Sequence, residues 1–392
     1  MKVLMVSRWF WEERRRNNGK PGFCGELVGA IVEKGIDLTI LSQAADAGAA
    51  PEFRPVDGLN VYVFSRERRR PAFAPLDKMI KIWAGYRKAA TDAAVIRRFV
   101  RQQGPFDAVV AQCEEPDGLA CALAFLAGRW PPLVTQVHDL RYWFGPGGVR
   151  FVRKSSLGFV FRKSARVLAN SAQTAGWLEW EYGVPANKIG QCRIHLTAPF
   201  LQLTAPRSAE PGEKRILFLG ALNRKKAPDI FLRTAILLAP ELPGWTFVLV
   251  GPKTEEDAPF RATLGELAAQ LSGRLESPGR LESPAVIEQI RRARVVVCPS
   301  RVETFSRATI EALALGRPVV VSETTGAAHW VESTGAGSLV PPDDPEALAR
   351  AIRHWISPDA VPGSTAAIIS ELTAARAAGD WIREVTSLQS PA

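Results

Sequence analysis

Short runs of aliphatic, largely β-branched residues alternate with helical stretches along the whole chain, and this alternation restricts it to a parallel α/β architecture. In the first half the expected strands are "KVLMVS", "DLTILS", "LNVYVFS", "DAVVAQ", "LVTQVH" and "RVLANS", with helices at Gly25–Lys34, Leu76–Gln102 and Ala172–Tyr182 among them. The Pro-rich, polar segment "HLTAPFLQLTAPRSAEPGEK" then interrupts the pattern and reads as a linker. The pattern restarts with "RILFLG", "WTFVLVG", "GRLES", "RVVVCPS" and "PVVVS", and the last stretch from about Ser364 reads as helix. With 392 residues, the chain is too long for one ordinary core. We therefore expect a domain over residues 1–198, a second over 199–365 and a terminal helix over 366–392. A tandem "GRLESPGRLESP" at Gly273–Pro284 is too short for a solenoid. Its second copy is expected to end a strand at the Ser283 helix cap, with Pro284 as the first helical residue and the first copy as loop.

With 46% hydrophobic and 23% charged residues, the chain can build packed cores, which excludes disorder. Cys24, Cys113, Cys121, Cys192 and Cys298 are scattered without a C-x-x-C pair, arguing for a reducing compartment and against a zinc site or disulfide framework. The opening "MKVLMVSRWF" is too short an apolar run for a signal peptide and reads as a first strand; no stretch approaches a membrane span. A cytoplasmic location is expected, with contact at the inner membrane face as an option. The net charge of +10 lies in the first half: residues 1–200 hold 29 Lys and Arg against 18 Asp and Glu, residues 201–392 hold 21 against 22. Such a basic half suits nucleic acid, an acidic small molecule or an anionic membrane. No zinc-finger spacing, RNP motif or helix-turn-helix supports nucleic acid. Between Leu76 and Arg101, the apolar Met79, Ile80, Trp83, Tyr86, Ala90, Ala93 and Val100 recur at helical spacing among lysines and arginines. That helix either lies on an anionic bilayer or faces a core.

"ETFSRATIE" places Glu303 and Glu311 around a helix start, downstream of the strand "RVVVCPS". Open α/β sheets bind ligands at the carboxyl ends of their strands. Ser306 reads as the helix cap, leaving the amides of Arg307, Ala308 and Thr309 to meet an anion with the help of the helix dipole. Glu311, on the helix, suits a vicinal diol; Glu303, in the loop, repels phosphate and suits hydroxyls. Two hydroxyl acceptors flanking an anion site fit a nucleotide sugar. The plainer alternative pairs Glu303 with Arg301 and leaves Glu311 on a solvated face. A second strand–loop–helix, "FLGALNRKKAPDIF", sets Arg224, Lys225 and Lys226 beside another helix start, where cations oppose the dipole unless an anion shares the site. No D-x-D triplet stands where a metal would need it, so a diphosphate here is expected to be neutralised by cations and helix dipoles, with no metal and no other cofactor. In "LVTQVHDLRYW", His138 and Asp139 end a strand of the first domain and are expected to face the interdomain cleft. His195, His329 and His354 lack comparable context, although His329 is placed to reach the cleft.

These residues together resemble the retaining family 4 glycosyltransferases of the GT-B type, in which two Rossmann-like domains face each other across a cleft and a C-terminal helix crosses back to the first domain. The strongest match is "PSRVETFSRATIEALALGRPVVV" at Pro299–Val321; "FLGALNRKKAPD", "LVPPDDPEALARAI" and "NNGKPGFCGELVGAIVEKGIDLTILS" agree with further stretches. The resemblance implies that Glu303 and His138 act at the donor sugar. Phe305, Ser306 and Arg307 would offer amides to sugar and diphosphate, Glu311 would hold the ribose and Lys226 the diphosphate. It further implies a UDP- or GDP-sugar as co-substrate, a glycan, lipid-linked or small acceptor on the basic domain, and a leaving phosphate that itself takes the acceptor proton. The sequence departs from the pattern at Ala221, where an Arg is usual and Arg224 is the substitute, and at Thr304 and His329. A sugar-nucleotide epimerase and a non-catalytic binding protein on the same fold are the alternatives.

Overall fold

The computed structural model describes residues 1–17, 19–65, 77–139, 147–202, 212–254, 258–271 and 273–389, with side chains from 85 and from 151 in the two helices that start at 77 and 147. The Arg66–Arg70 basic run, the side chains of the Trp83 portion of the long helix and residues 203–211 of the expected linker fall outside what is described. The chain forms two compact units, one of Met1–His195 with Ala374–Ala392 and the other of Leu196–Thr373.

The N-terminal unit is built on β1 (Lys2–Val6), β2 (Asp37–Gln43), β3 (Glu52–Phe53), β4 (Asn60–Phe64), β5 (Ala108–Ala111), β6 (Leu133–Gln136), β7 (Arg166–Ala169) and β8 (Ile189–Gln191). They lie in the order β3-β4-β2-β1-β5-β6-β7-β8, and all pair in parallel except β3 with β4. The C-terminal unit carries β9 (Arg215–Leu219), β10 (Thr246–Val250), β11 (Leu275–Gly279), β12 (Val295–Cys298), β13 (Val319–Ser322) and β14 (Gly337–Val340). Their order is β11-β10-β9-β12-β13-β14, all parallel. This is the Rossmann order, reversing direction between β9 and β12, and the equivalent reversal in the N-terminal unit lies between β1 and β5. Each unit is thus Rossmann-like, and the reversal fixes where loops from distant parts of the sequence meet.

The central strands are buried along their whole length, as "VVVC" and "VVVS" show, because helices cover both faces. The short β3, β8 and β14 escape sequence reading: "EF", "IGQ" and "GSLV" owe their strand state to pairing with a neighbour. Pairing also overturns the expectation for the tandem repeat. The first copy is the strand, held by Phe247 opposite Leu275, and the second runs into a helix at Ser283–Arg292. Glu282, not Ser283, stands at its cap position and gives no side-chain cap.

The 366–392 segment, expected as one helix, breaks in two. Ala366–Glu371 stays in the C-terminal unit and packs near the Arg307–Ala314 helix, whereas Ala374–Thr386 belongs to the N-terminal unit. There Ala377, Ala378, Trp381 and Val385 are fully buried in the core with Val28 and Ile31 of the Phe23–Glu33 helix. Arg193 clasps Asp380 through Nε (2.5 Å) and Nη2 (3.2 Å), and Arg166 Nε meets Glu384 at 2.9 Å.

From Gly85 onward, the long Asp77–Gln103 helix buries Ala89, Ala93, Ile96, Phe99 and Val100 and packs on the Leu119–Ala124 helix. Arg87, Lys88, Arg98 and Arg101 are exposed. This half is core-facing; its apolar stripe is spent inside the unit. No helix among the described residues is long and apolar enough to cross a membrane. The five cysteines are buried free thiols.

Candidate functional site

The reversal between β9 and β12 brings Lys226 and Glu303, 77 residues apart, into a direct ion pair between Nζ and Oε2. Lys226 follows β9 and Glu303 follows β12, at the carboxyl ends of neighbouring strands. Glu303 is buried, so its charge is balanced by Lys226 rather than by water. Arg301 holds the two loops together: its guanidinium meets Asp229 through Nη1 at 3.0 Å and Nη2 at 2.6 Å, and Nε reaches Asp343 at 2.6 Å. Its backbone N–H and Nη1 also donate to the carbonyls of Lys225 and Arg224, at 2.8 and 2.7 Å. The plainer expectation, Glu303 paired with Arg301, is therefore not met. Arg301 is the staple that sequence spacing missed.

The loop after β13 completes the clamp. Glu303 N–H donates to Thr324 O at 3.2 Å, Gly326 N–H donates to Glu303 O at 2.9 Å, and Thr325 Oγ1 donates to Phe305 O at 3.1 Å. Close approach between loops needs a glycine at one point: a Cβ on Gly251 would stand 1.8 Å from Gly220 O.

Both loops enter their helices through a non-glycine residue in the left-handed region, Ala227 at φ 54° before Pro228–Leu238 and Ser306 at φ 75° before Arg307–Ala314. Such backbone costs roughly 1–3 kcal/mol and collects where a ligand clamp needs it. Ser306 does stand at the cap position but does not cap: its hydroxyl pairs with Thr309 Oγ1 at 2.8 Å. The first turn of Arg307–Ala314 therefore presents its amide dipoles without a side-chain cap, beside the Lys226 cation. Phe305 is buried and Arg307 exposed.

Glu311 sits one turn into the helix, half-buried, and its carboxylate makes no hydrogen bond or ion pair among the described residues. Burial pushes its carboxyl above the usual carboxylate range, and only the charge of Arg307 opposes the shift. A carboxylate desolvated without a partner is held at a cost, and a hydroxyl pair would repay it. Arg224 is turned differently: its guanidinium lies over the Phe260 ring, 4.6 Å from the centroid. His329 is exposed beside Trp330.

In the N-terminal unit, His138 and Asp139 follow β6, next to the other sheet reversal. The His138 ring meets Phe23 edge-on at 6.4 Å, and the buried His195 stacks on the Phe23 ring at 4.3 Å. Phe23 opens the Phe23–Glu33 helix, whose Cys24 amide donates to Glu13 Oε2 at 2.9 Å. Gly22 allows this, because a Cβ there would lie 2.5 Å from the Glu13 carboxyl carbon. Glu114, following β5, is buried and accepts the backbone N–H groups of His138 (3.0 Å) and Asp139 (3.1 Å). Neither Phe23 nor Glu114 was singled out from sequence; the position of Phe23 in "KPGFCGEL" was the available signal.

A cation and a helix start can hold an anion, and two carboxylates on either side can accept hydroxyls. Residues 23–191 match the family model for the glycosyl transferase 4-like domain, and residues 213–357 match that for glycosyl transferases group 1. A lipopolysaccharide core biosynthesis mannosyltransferase of Rhizobium leguminosarum bv. viciae is 30% identical over 213 residues, covering 52% of this chain and 57% of the relative. A D-inositol 3-phosphate glycosyltransferase of Catenulispora acidiphila is 28% identical over 360 residues, covering 84% of this chain and 80% of its own length. The structure of Anabaena HepE in complex with UDP-glucose superposes with a TM-score of 0.62 at 18% identity, covering 99% of this chain and 97% of that one. With both halves matched and both units carrying the Rossmann-like sheet, the chain belongs to the family 4 glycosyltransferases of the GT-B fold.

Proposed function

We propose that the protein is a retaining, metal-independent hexosyltransferase that takes a sugar from a UDP- or GDP-sugar and delivers it to an anionic or lipid-linked glycan acceptor. The observation that carries this reading is the Lys226–Glu303 pair at the uncapped start of Arg307–Ala314, where the sheet reverses. In the reading, an incoming diphosphate takes over Lys226 and the first-turn amides, while sugar hydroxyls take over Glu303 and ribose hydroxyls meet Glu311. Lys226 exchanges a carboxylate for a phosphate, while Glu303 exchanges its cation for neutral hydroxyl donors, so both keep charge-assisted hydrogen bonds as the pair opens. The relatives named for sugar transfer to lipopolysaccharide core and to inositol 3-phosphate support a negatively charged acceptor, as does the basic first half of the chain.

For the chemistry, the acceptor oxygen bonds to the anomeric carbon on the face that the diphosphate leaves, and a phosphate oxygen takes the acceptor proton. Lys226 and the helix dipole stabilise the departing charge in place of a metal, and the proton uptake by the leaving phosphate stands in for a separate base. A thermal-shift panel of nucleotide sugars tests the donor: ligand at about 100 times its Kd stabilises the folded chain by roughly 2.7 kcal/mol. The expected result is stabilisation by a UDP- or GDP-sugar, followed by turnover that persists in excess chelator and a product with the donor's anomeric configuration. Turnover abolished by chelator and restored by a divalent ion sinks the metal-free reading; inverted product sinks retention.

Glu311→Ala is expected to weaken nucleoside diphosphate binding about tenfold, since a hydrogen bond to a charged group is worth roughly 1.5–3 kcal/mol. Because the Glu311 carboxyl titrates above its ordinary range, wild-type affinity should also fall as pH drops toward that raised pKa. Calorimetry with UDP and GDP across pH checks both effects. Unchanged affinity in Glu311→Ala would remove the residue from the ribose site.

A further inference from the structure

Two backbone amides at the end of β6 converge on one buried carboxylate from the end of β5. Glu114 Oε2 accepts the His138 N–H at 3.0 Å, and Oε1 accepts the Asp139 N–H at 3.1 Å. Each oxygen thus serves one amide, and the carboxylate grips the turn that carries the His138 ring. We propose that Glu114 is the positioning residue for His138: ionised, it holds both amides and fixes where the imidazole stands; protonated, it releases one of them. The proposal rests on the reading that His138 meets the donor sugar.

The chemistry of the two protonation states supports it. A carboxylate has only acceptor sites, matching two N–H donors. A carboxylic acid turns one oxygen into a donor, which then faces an amide donor. Burial pushes the Glu114 carboxyl up to about 7, with the His138 amide opposing and the nearby Asp139 charge adding to the rise. The exchange between the two states therefore falls near neutral pH.

The charged and titratable groups around Glu114 come from several elements. His138 and Asp139 stand at the end of β6, and Glu115 and Asp117 lie in its own turn. Arg8 approaches from the Arg8–Arg16 helix, donating its N–H to Asp117 Oδ2 at 3.2 Å. Asp92 is buried on the Asp77–Gln103 helix. Glu115 is engaged by Ser156 Oγ at 2.5 Å, with Tyr86 and Arg153 nearby. Of these, Asp139 is the one whose charge raises Glu114.

Glu114→Gln separates the states, because its Oε1 accepts one amide while its NH₂ opposes the other. Hydrogen exchange of the His138 and Asp139 amides, corrected for intrinsic rates, is measured from pH 5.5 to 8.5 in the wild type and in Glu114→Gln. Expected is protection in the wild type that falls at least severalfold below about pH 7, and low, pH-independent protection in the variant. Alongside it, kcat/KM for the donor should drop about tenfold in Glu114→Gln and lose its rising limb near neutrality, while UDP or GDP affinity stays unchanged. Amide protection that is unaffected by pH and by the substitution overturns the proposal, as does a rising limb retained in Glu114→Gln, which would belong to His138 itself. His138→Ala keeps the two ideas apart: full activity there ends the donor-sugar reading, while the exchange data still decide whether Glu114 holds the turn.

Discussion

Lys226→Ala is expected to bind the diphosphate sugar roughly 10- to 100-fold more weakly than the wild type, the loss of one charge-assisted contact of about 1.5–3 kcal/mol. The free nucleoside, which has no charge for Lys226 to meet, should bind as before. Calorimetry with both ligands gives the comparison, and equal losses for the two would take Lys226 out of the phosphate site. The structure adds a second consequence. Glu303 is buried, and removing its cation leaves a desolvated carboxylate without its partner, so the single variant should also lose stability. Adding Glu303→Gln to Lys226→Ala removes that charge. The double variant should recover stability without recovering donor affinity, a non-additivity that belongs to a directly coupled pair.

Trp381→Ala is expected to destabilise the N-terminal unit by about 3–5 kcal/mol, the range for emptying a large aromatic site in a packed core. Trp381 is fully buried among Ala377, Ala378 and Val385 on one side and the Phe23–Glu33 helix on the other. Ending the chain at Thr373 removes the same side chains together with the Asp380 and Glu384 ion pairs, and should be still more damaging. Denaturant unfolding of the full chain with and without Trp381 measures the effect; an unchanged midpoint would mean that the helix is not part of this core. Acid should weaken the same attachment. Burial alone would raise the Asp380 carboxyl, but Arg193 and Arg383 outweigh it and hold the group below 3.8. A depressed carboxylate contributes its stability above the unfolded pKa and loses it as pH falls through the folded one. The docking of this helix should therefore persist through neutral pH and loosen below about pH 4.

The sequence by itself determined most of the sheet-forming segments and the family to which the chain belongs, and it marked a candidate site. Runs such as "VVVC" and "VVVS" are apolar on both faces, and only a parallel sheet covered on both sides satisfies that. The Glu303–Glu311 spacing around a helix start was legible because a strand end, a loop and a first helical turn are all local features. Pairing across the sheet was not local, and there the tertiary structure decided. The reversal between β9 and β12 set Glu303 against Lys226 instead of against the nearby Arg301, which was drawn away to Asp229 and Asp343. Strand pairing with β10 made a strand of the first "GRLES" copy, which was expected as loop. The buried Trp381 gave the final helix to the N-terminal core, because amphipathic periodicity marks a helix face but not the surface that will cover it. Glu114 was invisible for the same reason: a carboxylate's value as an amide acceptor depends on which backbone the fold brings to it, and that backbone follows another strand.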